Sequence, residues 1–227
     1  MSVMKPFSAA AVAALLLCGC RVVEQDDNAS AEANQSADAN MAAPAPAPAP
    51  PLSASAQAER DKAAAELKDL RFLVDISDKK LRLFAGDRQL EEHDVAVGTR
   101  EYPTKAGDWE IHQVDLNPEW TPPKNEEWAK KEQTRKPGDP ENPMGRARLV
   151  YDMPRTIHGT DDKDSLGKRA SHGSIRVSND SILKLAAMAL KAGGSWQGQQ
   201  WFDQMTGTRT QEHQLKLDKP IPVKVQD

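Results

Sequence analysis

Two short stretches decide the reading: Ile157-His158-Gly159-Thr160 and, about a dozen residues on, Ser171-His172-Gly173-Ser174-Ile175-Arg176. Two histidines stand in glycine-flanked settings, and a serine follows the second by two residues. Glycines at 159 and 173 let the backbone approach a ligand closely. The segment 171–174 can direct backbone N–H groups at a developing oxyanion. A serine opening a strand-to-helix run, with a histidine brought near by the fold, is a nucleophile–base pattern. Arg176 alternates with Ser174 along the strand. His93, His112 and His213 lie in charged, strand-like contexts and read as surface residues.

Outward from this site the pattern is mostly that of strands. Phe72, Val74 and Ile76 alternate with polar or outward residues, as do Leu81 and Leu83. Asp78-Lys79 and Gly86-Asp87 punctuate them as turns. Residues 94–98, 109–114 and 148–153 continue the pattern, and 213–217 and 221–225 close it, with Pro220 and Pro222 predicting an edge. Residues 115–146 are polar and proline-rich, and a loop of that length is usually a lid or binding loop. Within it, Glu126–Lys131 is charged enough for one or two helical turns. After the site, Ser178 or Asn179 can cap a helix carrying Ile182, Leu185, Met188 and Ala189 on one face and stopping at Gly193. A second helical piece is expected over Trp196–Met205. The class is therefore mainly β (α+β), one domain over 71–227 with one main helix, preceded by a short helix over 58–70.

Composition narrows the options. Of 227 residues only two are cysteine, Cys18 and Cys20, so the folded part has no disulfide framework, thiolate metal site or cysteine nucleophile. Two histidines without a third ligand make no case for a metal, and no cofactor motif is present. The net charge is −4. Residues 21–57 hold five acids against one base, and residues 1–20 add Lys5, which leaves 58–227 near −1. So neutral a domain offers no bulk charge for nucleic acid. Aromatic content of 5% and a mean hydropathy of −0.68 predict no large apolar core.

The N-terminal residues read as an address. Lys5 precedes the apolar run 9–17, too short to span a bilayer and suited to a secretory signal. Residues 21–57 are acidic, then Pro-Ala-rich, and read as a disordered linker with a mean reach of about 35 Å.

Leu17-Cys18-Gly19-Cys20 resembles a bacterial lipoprotein signal. That likeness implies cleavage after residue 19, a lipidated Cys20, and anchorage to a membrane without a spanning helix. Arg21 after the cysteine implies the outer membrane, with the protein facing the periplasm.

The domain itself resembles the L,D-transpeptidase catalytic-domain family (YkuD-like) over roughly residues 70–226. The likeness rests on His158-Gly159-Thr160 and on Ser171-His172-Gly173-Ser174-Ile175-Arg176. Supporting blocks, in order, are VDISDKKLRLFAGDRQLEEHDVAVG, YPTKAGDWEI, LNPEWTPP, ENPMGRARL and the closing KPIPVKV. The resemblance implies an L,D-transpeptidase-like β-sandwich and acyl transfer on peptidoglycan stem peptides, with envelope proteins as further candidate partners. By resemblance His158 is the base, oriented by the Gly159 carbonyl. N–H groups of His172, Gly173 and Ser174 form the oxyanion hole, near Ser171, and Arg176 braces the site or meets a substrate carboxylate.

One departure matters most: the family's nucleophile is cysteine, and this chain has Ser174. A thiol near pKa 8.5 can be deprotonated in advance, whereas a serine must lose its proton during attack. Such a serine usually needs a carboxylate behind its histidine, and Asp161, Asp162 or Asp164 could supply one. The alternative readings are a catalytically inactive peptidoglycan-binding or regulatory lipoprotein, and a structural envelope tether.

Overall fold

The computed structural model describes residues 53–227. The expected signal peptide, the lipidated Cys20 and the linker as far as residue 52 lie outside the described residues. The first element is helix α1, Ala54–Glu66. It begins four residues before the expected start and ends four before the expected end. The alanines at 54 and 58 already favour helix, so nothing delays its start. Asp69 turns left-handed at φ 56, and Leu70 then leaves the helix to open strand β1, where it is 4% exposed.

Strands β1 (Leu70–Asp75), β2 (Lys80–Ala85) and β3 (Arg88–Asp94) form a meander. Phe72 and Val74 face the core, as their alternation predicts. Val97–Gly98 forms a short β4, followed by β5 (Gly107–Leu116), β6 (Ala147–Asp152) and β7 (Arg155–Thr160). Short β8 (Arg169–Ser171) pairs with β4 in a separate two-stranded ladder. Next come β9 (Ile175–Ser178), α2 (Asn179–Ala192), α3 (Gln199–Gly207) and β10 (His213–Gln226). The main sheet has eight strands in the order β3-β2-β1-β10-β5-β6-β7-β9. The fold is mainly β, with its principal helix directly after the strand that carries Arg176.

Two expectations need correction. The final strand is one element, not two, and it lies inside the sheet. It pairs with β5 over nearly all its length and with β1 from Val223 onward. Pro220 and Pro222 precede the β1 ladder, so no N–H is missed on that side; the local rule held while the strand as a whole is central. The second correction concerns the core. A continuous cluster joins Phe72, Leu81, Leu149, Ile157, Ile175 and Leu185, among others. The low mean hydropathy belongs to the charged and polar residues at the domain's exposed positions, while the inward-facing positions of the strands and of α2 still close a full core.

Helix α2 packs against β6 and β7, behind the strand that carries His158. Ser178 Oγ accepts Ser181 N–H at 3.1 Å as its N-cap. Ile182, Leu185, Ala186, Ala189 and Leu190 are its buried face. Gly193 ends it for reasons of space, since a Cβ there would lie 2.8 Å from the Ala189 carbonyl oxygen and 2.9 Å from Leu217. The positive φ of 85° falls on Gly194 instead.

The stretch after β5 is irregular but tied down. Trp120 and Arg135 exchange two backbone hydrogen bonds, at 2.9 and 2.8 Å. Asn142 Nδ2 donates to the Pro118 carbonyl at 2.8 Å. One 3-10 turn, Glu127–Ala129, falls within the charged piece expected to be helical. Of the three histidines read as surface residues, only His112 is exposed. His93 and His213 are half-buried, each with a buried Nε2 that lacks a hydrogen bond among the described residues.

Candidate active site

Strand β7 and the turn before β9 bring the two quoted stretches together. In the parallel β7–β9 ladder His158 lies opposite Arg176 and Ile157 opposite Ile175. His158, Ser171, His172, Ser174 and Arg176 all line one cavity of about 520 Å³.

His158 is 2% exposed. Its Nδ1 donates to the Gly159 carbonyl at 2.8 Å, which leaves Nε2 as the lone-pair nitrogen. Burial pushes the imidazole pKa down to about 4; the Gly159 carbonyl opposes this, and the Arg176 and Arg148 guanidinium charges reinforce it. The histidine is therefore neutral at pH 7. Gly159 has no room for a side chain, since a Cβ would meet Asn179 Oδ1 at 2.3 Å. None of the three candidate carboxylates is the partner of His158. Asp161 accepts from Asn179 Nδ2 at 2.7 Å, and Asp162 lies 3.9 Å from Arg176 Nη1. The orienting group is a carbonyl.

The 171–174 turn is pinned from both sides. Ser171 Oγ donates to the Ser174 carbonyl at 2.5 Å and accepts from Gly173 N–H at 3.2 Å. Thr104 Oγ1 accepts from Gly98 N–H at 2.8 Å and donates to the Gly173 carbonyl at 3.0 Å. Gly173 sits at φ +100, a conformation costly for any side chain. The expected oxyanion hole changes in one respect: Gly173 N–H is engaged by Ser171, because that hydroxyl folds back beneath the turn. None of these bonds uses the His172 or Ser174 N–H. Ser174 Oγ accepts from Thr156 N–H at 3.2 Å, and among the described residues it has no hydrogen bond to His158.

His172 carries its ring outward. Trp128 from the 3-10 turn stacks on it at 3.9 Å and 11°, and Tyr102 meets its edge at 4.9 Å. Burial lowers its pKa, with a further push from Arg176. Arg176 is held through its backbone, which exchanges two hydrogen bonds of 2.9 Å with Ala96. Trp128, Tyr102, Thr104 and Thr156 were not singled out in the sequence. An aromatic in a polar loop was the available signal for Trp128; Tyr102 and Thr104 lie in the quoted block YPTKAGDWEI, and nothing marked Thr156. Among the described residues no group of three or more His, Cys, Asp or Glu side chains is placed to hold a metal ion.

The model of the L,D-transpeptidase catalytic domain family (YkuD) matches residues 69–211. The chain belongs to this family. A Salmonella typhimurium protein named "Probable L,D-transpeptidase ErfK/SrfK" is 25% identical over 175 residues, covering 67% of this chain and 56% of that protein. Its Escherichia coli namesake is 30% identical over 120 residues, covering 48% of this chain and 38% of that protein. The chain thus spans about half the length of the curated relatives it matches, or less. An L,D-transpeptidase structure from Mycobacterium smegmatis is 15% identical, with a TM-score of 0.43, covering 70% of this chain and 59% of that one.

Proposed function

We propose that this member of the L,D-transpeptidase family is an acyltransferase on peptidoglycan stem peptides, with Ser174 as nucleophile and His158 as base. The observation that carries the reading is a neutral, buried His158, oriented by the Gly159 carbonyl, in the same cavity as Ser174. Ser174 Oγ leaves the Thr156 N–H, gives its proton to His158 Nε2 and bonds to the stem-peptide carbonyl carbon. The carbonyl electron pair moves to oxygen, facing the His172 and Ser174 N–H groups. Collapse breaks the peptide bond, and the departing D-residue amine takes the proton from His158. A second amine attacks the Ser174 ester, loses its proton through His158, and returns the hydroxyl. Arg176 offers a positive charge to a substrate carboxylate.

The test is incubation of the protein with tetrapeptide muropeptides. The expected products are free D-alanine and cross-linked dimers, both lost in Ser174→Ala. A second reading, an inactive peptidoglycan-binding or regulatory protein, is favoured by the Ser174–Thr156 bond, which parks the hydroxyl away from His158. Retained binding to sacculi without turnover would establish it in place of the first.

A pH profile follows from His158. The neutral imidazole is the reactive form, so kcat/KM is expected to hold from pH 7 downward and fall only as pH approaches about 4. The same shift acts on stability. The unfolded histidine takes up its proton near pH 6.5 and the folded one near 4, so stability is lost as pH falls between these values. NMR titration of the His158 ring checks this directly; a midpoint near 6.5 would contradict it.

We further propose that Cys20 is lipidated and anchors the protein at the outer membrane, facing the periplasm. Cys20→Ala is expected to move the protein from the membrane to the soluble fraction. Unchanged membrane association would overturn the anchor.

A further inference from the structure

Successive peptide units of the turn that carries Ser174 are each held at one polar end. Ser171 Oγ accepts the Gly173 N–H at 3.2 Å and donates to the Ser174 carbonyl at 2.5 Å, which fixes the units on either side. The unit between Gly173 and Ser174 is held by Thr104, whose Oγ1 donates to the Gly173 carbonyl at 3.0 Å. Its other end is the Ser174 N–H. Gly173 itself does not fix this unit. It sits at φ +100, and a glycine leaves the peptide that follows it free to turn.

The Thr104 hydroxyl is itself aimed. Thr104 is 6% exposed, and its Oγ1 accepts the Gly98 N–H at 2.8 Å. With that donor on the oxygen, the hydroxyl proton is directed to the Gly173 carbonyl. Gly98 lets the two segments meet, since a Cβ there would fall on the Tyr102 carbonyl oxygen and the Thr104 nitrogen. It belongs to β4, and the next residue ties that strand to the same turn: Thr99 N–H donates to the Ser171 carbonyl at 3.0 Å.

A trans peptide is planar, with its C=O and N–H on opposite sides. Holding the Gly173 oxygen toward Thr104 therefore turns the Ser174 N–H away from Thr104. Ser174 Oγ meets the Thr156 N–H of β7, and Thr156, His158 and Ser174 line the cavity, whereas Thr104 does not. We propose that Thr104 is a positioning residue that aims the Ser174 N–H at the oxyanion. It acts through the Gly173–Ser174 peptide and not on the substrate. The proposal rests on the acyltransferase reading above, in which that N–H faces the substrate oxygen.

The test compares Thr104→Val, which keeps the branched shape and removes the hydroxyl, with Thr104→Ser, which keeps the hydroxyl. Residual dipolar couplings of the full chain report the direction of the Ser174 N–H vector and require no turnover. That coupling is expected to change in Thr104→Val and to keep its wild-type value in Thr104→Ser, with the amides of β7 and α2 unmoved in both. The second readout is D-alanine release from tetrapeptide muropeptides. Loss of a whole oxyanion donor costs about 10²–10³ in kcat, so a misaimed one should cost Thr104→Val about tenfold in kcat, with KM within about twofold, and Thr104→Ser should recover it. An unmoved Ser174 coupling or an unchanged kcat in Thr104→Val would overturn the proposal. So would couplings that shift throughout the domain, or a loss that Thr104→Ser does not recover, because each marks a merely structural residue. A wild-type chain without turnover overturns the acyltransferase reading instead, and the coupling then decides whether Thr104 aims the N–H.

Discussion

Ser174→Cys is expected to release D-alanine from tetrapeptide muropeptides about 10²-fold faster than the serine form. The expectation comes from proton affinities. His158, at a pKa of about 4, is a weak acceptor for any nucleophile's proton. A thiol near 8.5 lies about 4.5 units away, roughly 6 kcal/mol for complete transfer. An aliphatic hydroxyl is nearly as weak an acid as water, far weaker than a thiol, so its gap is wider by roughly 10 kcal/mol. In a concerted attack only part of that difference is felt. A quarter of it, about 2.5 kcal/mol, is close to 10²-fold in rate. The carbonyl behind His158 supplies no charge to offset the gap, unlike a carboxylate. A cysteine variant no faster than wild type would remove residue 174 from the role of attacking atom.

The pinned turn makes this comparison clean. Ser171 and Thr104 hold residues 171–174 without using the Ser174 hydroxyl. Exchanging Oγ for Sγ therefore alters the nucleophile and the bond it accepts from Thr156 N–H, and leaves the rest of the turn's support in place.

Much of this could be read from the chain before any coordinates. Alternation at 72–76 and 81–83 reports directly on which side chains face the core, because the pleat has period two. The helix after Ser178 was legible because capping and a 3.6-residue apolar face are local signals. The β10 placement was not legible: an interior strand bearing two prolines contradicts the local rule until one knows where the β1 ladder starts. The site divides in the same way. His158, Gly159 and Ser174 stand in short, recognisable strings. Thr104 to Gly173 spans 69 positions, and Trp128 to His172 spans 44, so nothing local announces them. The role of Gly173 was read from position alone and missed that Ser171 folds back to take its N–H.

The largest expected loss of stability lies at Asp115. Its side chain has no exposure, and its Oδ2 accepts Arg148 Nε at 2.6 Å while Oδ1 accepts Gln113 Nε2 at 2.7 Å. Arg148 is 15% exposed, and among the described residues its other polar partners are Glu212 at 3.5 Å and the Glu119 carbonyl at 3.5 Å. Asp115→Ala would strand a guanidinium that water reaches poorly, at a cost of about 3–5 kcal/mol. That is a large share of the roughly 5–15 kcal/mol that holds a typical domain together. Urea denaturation should show a lower midpoint with an unchanged slope. The cost belongs to the unpaired charge rather than to the lost carboxylate. The double variant Asp115→Ala/Arg148→Met should therefore recover most of it, since replacing a buried pair by apolar groups is often near neutral. Recovery should carry a signature at the site. Arg148 lies opposite His158 in the β6–β7 ladder and helps to depress its pKa, so the double variant should raise the His158 titration midpoint while Asp115→Ala alone should not. A single-variant cost below about 1 kcal/mol, the range of an exposed pair, would mean that Glu212 and solvent already satisfy Arg148.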